Sequence, residues 1–217
     1  MKERQILFSG PMVRAILEDR KTQTRRVVAN QPEKDKVCHE GDYWIWRDRK
    51  LDAGYCHTQR RPMERLMEPL CPYGIPGDRL WVRETLKTHG HFGFPLGDRP
   101  QVRREDRARI WSYAADNVPD HTGSVPSIHM PRWACRLVLD ITAIRVERVQ
   151  EISEDDAKAE GVEQYVTGPH WDQDRYRPSY RELWDSLNAK RGFGWATNPW
   201  VWVVEFKRCN DIGSRPK

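Results

Sequence analysis

The chain contains 217 residues, of which 38% are apolar and 32% are charged, and it carries a formal net charge of +5. No apolar run is long enough to span a bilayer and the N-terminus does not resemble a secretory signal, so we expect neither a membrane protein nor a secreted one. We therefore expect a cytoplasmic protein with no membrane partner, and the basic balance favours anionic partners, nucleic acid first.

The first predicted elements surround a strongly basic segment. Residues 5–8 are predicted to form a short strand, and apolar residues at helical spacing then predict a helix over 12–18. Asp19 stands where a helix-terminating glycine is usual, and we expect it to adopt a left-handed conformation. The eight residues that start at Asp19 carry four cations and two hydroxyls, and a strand is predicted over 22–28.

The later predicted strands and helices do not alternate regularly along the chain. Ser153 is predicted to cap a helix that ends at Gly161, because three acids follow it in the first turn. The other predictions are strands over 42–47, 79–84, 110–113, 137–141, 144–149 and 200–206, and a helix over 178–189. Short strands outnumber helices and show no βαβ alternation, so we predict the α+β class, as a small mixed β-barrel with peripheral helices. We expect one domain over 1–217, with loop-rich insertions at about 29–75 and 87–131.

Five segments resemble the motifs of ASCH domains and occur in the order found in that family. Residues 16–25 resemble its opening motif, and 76–84 resemble its second strand. Residues 152–161 resemble the helix that follows the long strands, and 180–184 and 202–206 resemble the closing helix and strand. The match covers about half of the chain and leaves both insertions outside, as in the larger ASCH proteins of phages and prophages.

The resemblance implies a PUA-like β-barrel that recognises RNA or a modified base. Small bacterial members of the family hydrolyse the acetyl amide of N4-acetylcytidine with a threonine, a lysine and a glutamate. By motif position these residues are Thr24, Lys21 and Glu160, and the predicted substrate-binding residues are Thr22, Arg25, Arg26, Arg83 and Glu84. Asp19 departs from the family, which has glycine at that position, and the change could shift Lys21.

Hydrolysis would need these groups to act together. The Thr24 hydroxyl would attack the amide carbonyl, and Lys21, kept neutral by burial, would accept the hydroxyl proton. Glu160 would position the lysine or carry a proton to the leaving amine, while Arg25, Arg83 or backbone N–H groups would stabilise the oxyanion. On a regular strand Lys21 and Thr24 would face opposite sides, so the mechanism requires Lys21 to precede the strand.

Other interpretations stay open at this point. Lys21 could be a solvated cation near a helix C-terminus, Thr24 an ordinary strand residue, and Glu160 a surface acid. The family also includes RNA binders and ribonucleases. A non-catalytic binding module for RNA or a modified base, a ribonuclease and an interaction protein of phage assembly are therefore alternatives to a hydrolase.

Further residues suit nucleic-acid contact or metal binding. Candidate phosphate contacts are Arg25, Arg26, Arg83, Arg103, Arg104, Arg107 and Arg109. Candidate stacking residues are Trp44, Trp46, Trp81, Trp111 and Trp171. The five cysteines form no C-x-x-C pair, so we predict no metal and no cofactor. An irregular metal cluster of Cys38, Cys56 and Cys71 with neighbouring histidines is left open, and His89, His91, His121 and His129 are expected to be polar loop residues.

Overall fold

The computed structural model describes residues 1–34, 44–48, 53–56, 70–88, 110–116, 123–164 and 175–209. The strands are β1 Glu3–Leu7, β2 Gln23–Val27, β3 Glu33–Lys34, β4 Trp44–Asp48, β5 Ala53–Cys56, β6 Arg79–Arg83, β7 Leu86–Thr88, β8 Ile110–Tyr113, β9 Gly123–Val125, β10 Val138–Arg148 and β11 Trp200–Arg208. The α-helices are α1 Gly10–Leu17, α2 Glu154–Ala159 and α3 Arg177–Asn188.

The fold is mixed α+β, as the sequence predicts, but the predicted barrel is absent from the described part of the chain. A five-stranded sheet has the order β1-β6-β10-β11-β2, and two small sheets have the orders β3-β4-β5 and β8-β7-β9. Strands β1 and β2 are the two edges of the five-stranded sheet and do not pair with each other, so the described strands form an open sheet. The pairing of β1 with β6 is parallel, and the pairings of β6 with β10 and of β2 with β11 are antiparallel.

The chain divides into two compact units. The first unit comprises residues 1–22, 76–142 and 206–217, and the second comprises 23–75 and 143–205. Strands β10 and β11 each contribute residues to both units. None of the described helices has the length and apolar character that a bilayer crossing needs.

In the first unit, apolar residues of β1 and β6 are buried at alternate positions, and β10 buries the consecutive pair Val138 and Leu139 as well as Ile141. Ile6 and Leu80 are at most 2% exposed, because alternate side chains of a strand point to the same face. Helix α1 buries Val13 and Ile16 and ends at Leu17. Asp19 follows with a φ of 57°, which confirms the predicted left-handed turn.

The core of the second unit includes residues of α2, α3 and β11. This cluster contains Val149, Ile152, Ala157, Tyr180, Trp184, Val201 and Val203. Ser153 caps α2 as predicted, since its Oγ accepts a hydrogen bond of 3.0 Å from the backbone N–H of Asp156. The Glu154 carboxylate accepts hydrogen bonds of 2.8, 2.7 and 2.9 Å from the N–H groups of residues 175, 176 and 177, where α3 begins.

Candidate functional site

The three predicted catalytic side chains are buried. The exposed fractions of Lys21, Thr24 and Glu160 are 3%, 4% and 3%. Lysine and glutamate are almost never fully buried unless they are paired, so burial here indicates a specific role in structure or function. The interpretations of Lys21 as a solvated cation and of Glu160 as a surface acid are therefore wrong.

Lys21 belongs to the first unit and lies just before β2 begins at Gln23, as the proposed mechanism requires. Its backbone N–H donates to the carbonyl of Ala15 at 3.0 Å, which ties it to the end of α1. Its Nζ lies 5.7 Å from the centre of the Phe8 ring, within the range of a cation–π contact. Thr24 and Glu160 belong to the second unit, and the convergence of Lys21 with them stays a prediction.

Arg25 is the centre of a buried ionic cluster in the second unit. Its side chain is completely inaccessible to solvent. Nη1 donates to Glu160 Oε1 at 3.3 Å, and Nη2 donates to Asp156 Oδ2 at 3.0 Å. Nε donates to Glu147 Oε1 at 3.0 Å, and Nη2 contacts the same oxygen. Burial opposes the charge on Arg25, but the carboxylates of Glu160 and Glu147 outweigh it and raise the pKa of the guanidinium.

A second arginine, on β10, bonds to two of these three acids. Arg145 donates from Nη2 to both carboxylate oxygens of Asp156 at 2.9 Å and from Nε to Glu147 Oε2 at 3.1 Å, and it also contacts Glu205. Burial raises the pKa of Asp156, but Arg25 and Arg145 outweigh it, so the pKa lies below its ordinary value. We call these six residues the Arg25 cluster: Arg25, Arg145, Glu147, Asp156, Glu160 and Glu205.

Two uncharged side chains complete the surroundings of Arg25. Gln23 Nε2 donates to the backbone carbonyl of Asp156 at 2.7 Å, which ties β2 to α2. The Tyr180 ring lies 5.9 Å from the Arg25 guanidinium carbon. Burial raises the pKa of Tyr180 well above 10.0, so the phenol is neutral near neutral pH. The Tyr180 ring thus lies against Arg25, and Gln23 holds β2 to Asp156, which is a partner of Arg25.

Strand geometry separates Thr24 from Arg25. Gln23 and Arg25 both contact Asp156, so they share one face of β2, and alternation directs the side chain of Thr24 to the opposite face. Thr24 is paired with Val204 of β11 in the antiparallel register. Glu160 bonds to Arg25 and Thr24 points to the other face of β2. Contact between the Thr24 hydroxyl and the Glu160 carboxylate therefore stays a prediction.

The predicted substrate-binding residues have contrasting environments. Thr22 is exposed and Arg26 is half-buried, whereas Arg25 is enclosed by acids. In the first unit, Glu84 is 1% exposed and accepts two hydrogen bonds of 2.9 Å from Arg136. Burial raises the pKa of Glu84 although Arg136 opposes the shift. Arg25 and Glu84 are thus held in ion pairs, and substrate contact by any of these residues stays a prediction.

Several residues of the Arg25 cluster are missing from the sequence prediction. Asp156 carries only the signal of an acid in the first turn of a helix. Arg145 and Glu147 are two positions apart on β10 and share a face, which is the one signal that could have indicated a charged lining. Their partners on β2 and α2 lie too far away in the chain for any spacing rule to connect them.

The described residues offer no group of three or more His, Cys, Asp or Glu side chains that could hold a metal ion. Cys71 is buried, and it takes part in no disulfide bond among the described residues. Cys38 and the side chain of Cys56 lie outside the described residues, as do Arg103, Arg104, Arg107, Arg109, His89, His91, His121, Trp171 and the side chains of Trp44, Trp46 and Trp111. The predictions made for these residues stay predictions.

Comparison of the chain with protein-family models, with curated proteins and with solved structures finds no match in any of the three. The resemblance to ASCH domains therefore rests on the five sequence segments alone.

Proposed function

We propose that this chain is an ASCH-type, PUA-like protein that acts on modified nucleosides or RNA, and that it hydrolyses an amide of the N4-acetylcytidine type. The observation that carries the proposal is the burial of Lys21, Thr24 and Glu160, each at most 4% exposed. Polar groups are kept out of water at a cost, and functional sites are where such arrangements concentrate.

The proposed reaction has two steps. The Thr24 oxygen bonds to the acetyl carbonyl carbon while its proton passes to the Lys21 amine. The tetrahedral intermediate then breaks its C–N bond, the cytosine amine leaves with the proton that Lys21 had accepted, carried by Glu160, and an acetyl ester remains on Thr24. In the second step, water attacks the ester, acetate leaves, and the Thr24 hydroxyl is restored.

Arg25 has a supporting role in this proposal. Because its guanidinium is enclosed by three carboxylates, it is placed to hold Glu160 in one orientation and not to contact substrate. A fixed carboxylate is pre-organised for hydrogen bonding to an exocyclic amine or to Lys21. Arg25 is therefore proposed as a positioning residue.

A non-catalytic binding module is the second candidate. Two observations favour it: Glu160 is held in an ion pair with Arg25, and Thr24 points to the opposite face of β2 from Arg25. In this alternative, Glu160 accepts a hydrogen bond from the base and no bond is broken.

Turnover of N4-acetylcytidine separates the candidates. Purified protein is incubated with the nucleoside, and cytidine and acetate are quantified by chromatography. Thr24→Val keeps the side-chain shape but removes the hydroxyl, and we expect it to lower kcat at least about a hundredfold. Glu160→Gln is expected to lower kcat by a similar factor, whereas Thr142→Val removes an exposed hydroxyl of β10 and serves as the control.

Two outcomes decide against hydrolysis. Wild-type protein that binds the nucleoside without releasing acetate is the binding module. Turnover that Thr24→Val leaves intact removes Thr24 as nucleophile and ends the proposed mechanism.

A further inference from the structure

The outward face of β1 and β6 in the first unit presents an aromatic ring beside exposed polar and apolar side chains. The two strands pair in parallel, with Gln5 opposite Trp81 and Leu7 opposite Arg83. Burial alternates along both strands: Ile6 is 2% exposed whereas Leu7 is 39% exposed. Trp81 and Arg83 therefore lie on the face that points away from the core.

Two arginines flank the Trp81 ring. The guanidinium carbons of Arg83 and Arg132 lie 5.6 and 5.8 Å from its centre, within the range of a cation–π contact. Ile128, whose carbonyl oxygen accepts a hydrogen bond from Arg83 Nη2, is 59% exposed. We call this set the Trp81 face: Gln5, Leu7, Trp81, Arg83, Ile128 and Arg132.

The two arginines differ in how their charge is balanced. Arg132 donates two hydrogen bonds of 2.9 and 3.0 Å to the carboxylate of Glu3. Arg83 donates to neutral oxygens, at 2.7 Å to Gln5 Oε1 and also to the carbonyl of Ile128. No carboxylate within the described residues pairs with Arg83, and its Nε is buried without an acceptor. The Trp81 face therefore carries one cation whose charge nothing described neutralises.

These features match the chemistry of a single nucleic-acid strand. Nucleobases stack on indole rings and on guanidinium planes, and every base offers a flat face for that purpose. A phosphate group accepts the forked donors of an arginine and supplies the negative charge that Arg83 lacks. A duplex hides the faces of its bases, so an unpaired strand suits a half-buried ring on an outward face better.

We propose that the Trp81 face binds single-stranded RNA, with a base stacked against Trp81 and Arg132 and a phosphate held by Arg83. The choice of RNA over DNA rests on the proposed function, whereas stacking and phosphate contact follow from the face itself. The Trp81 face contains none of the predicted catalytic residues Lys21, Thr24 and Glu160. It assigns Arg83, which the sequence analysis predicts to bind substrate, to a phosphate of the RNA strand.

Fluorescence anisotropy with a labelled single-stranded RNA of about twelve nucleotides tests the inference on the full chain. Trp81→Leu removes the stacking ring and is expected to weaken binding about tenfold. Arg83→Gln is expected to weaken it severalfold and to lower the slope of log affinity against log salt by about one. Arg181→Gln, on the exposed side of α3, removes the same charge elsewhere and is the matched control.

A third variant is expected to bind RNA more tightly than the wild type does. Glu3→Gln removes the carboxylate that neutralises Arg132, so it is expected to strengthen RNA binding at low salt. Thermal unfolding shows whether each variant is folded. If Trp81→Leu does not fold, the single-site surface variants Arg83→Gln and Glu3→Gln still decide the matter.

The inference is overturned if the wild type binds no RNA, if it prefers DNA or duplex RNA, or if Arg83→Gln binds as tightly as Arg181→Gln. Self-association that Trp81→Leu abolishes would assign the face to a second copy of the chain instead. Turnover of free N4-acetylcytidine on the same preparations keeps the two proposals apart. RNA binding without turnover removes only the hydrolase, and turnover without RNA binding removes only this surface.

Discussion

Arg25 and Arg26 are neighbours of the same residue type with different surroundings. Arg25 is buried among acids supplied by residues 147, 156 and 160, whereas Arg26 is half-buried. Alternation along β2 predicts that consecutive side chains point to opposite faces, so the sequence could indicate that the two arginines differ. It could not show which face meets the acids, because those acids are more than a hundred residues later in the chain.

Replacing Arg25 tests how strongly the Arg25 cluster supports the fold. Arg25→Met keeps an unbranched apolar stem but removes the guanidinium, and it leaves the carboxylates of Glu147, Asp156 and Glu160 without their shared partner. We expect the free energy of unfolding to fall by about 3–5 kcal/mol, because breaking a buried ion pair leaves uncompensated charge. Denaturant unfolding followed by circular dichroism measures the loss.

The matched control is Arg20→Met, which removes an arginine that is 44% exposed and paired with Glu18. We expect a loss below about 1 kcal/mol, as is usual for surface ion pairs. Equal losses in the two variants would show that the cluster adds nothing beyond an ordinary surface pair.

Among the elements, β10 is one whose existence the sequence pattern predicts but whose length it does not. The sequence predicts two strands, over 137–141 and 144–149, whereas the structure has one continuous strand over Val138–Arg148. Neither Thr142 nor Ala143 is a residue that ends a strand, so the pause in apolar residues does not break the backbone. The helix caps and the strand β11 were predictable because they depend on local chemistry, whereas sheet order depends on distant pairing.

Helix α3 begins at a cap supplied by another helix. Since Glu154 accepts hydrogen bonds from three successive backbone N–H groups, Glu154→Ala is expected to lower the free energy of unfolding by about 1 kcal/mol at neutral pH. Asp155→Asn, in the same turn, is exposed and is the control. Denaturant unfolding of both variants provides the comparison, and an equal effect in the two would contradict a specific cap.

This contribution depends on pH in a defined direction. Burial raises the pKa of Glu154, but the backbone donors of residues 175–177 outweigh it, so the pKa lies below 4.5. A depressed carboxyl pKa adds stability above the unfolded pKa and loses it as the pH falls. The difference between wild type and Glu154→Ala should therefore shrink below about pH 4.5.

At the scale of the whole molecule, several described carboxylates have a lowered pKa, as Glu154 does. The hydrogen bond from Arg132 is the main cause that lowers the pKa of Glu3 below 4.5, and the arginines of the cluster lower that of Asp156 below 3.8. The pKa of Glu84 is shifted in the opposite direction, because burial raises it. Among the described carboxylates with a shifted pKa, acidification therefore removes stability through Glu3, Glu154 and Asp156 and adds it through Glu84.

We expect the denaturant midpoint of the whole chain to fall as the pH drops from about 5 toward about 3, since protonation dissolves these ion pairs. A series of unfolding curves across that range measures it, with Glu84→Gln as the comparison that removes the opposing group. A midpoint that is constant or rises on acidification would contradict the expectation.

The turn at Asp19 bears on how such chains are recognised. Aspartate takes up a φ of 57° there without help from a glycine, and the backbone N–H groups of Arg20 and Lys21 both donate to the carbonyl of Ala15. Its carboxylate also receives a hydrogen bond of 3.2 Å from Arg208, a tether that glycine has no side chain to offer. A search pattern that insists on glycine before the Arg-Lys-Thr run would pass over molecules that shape the same bend with an acid.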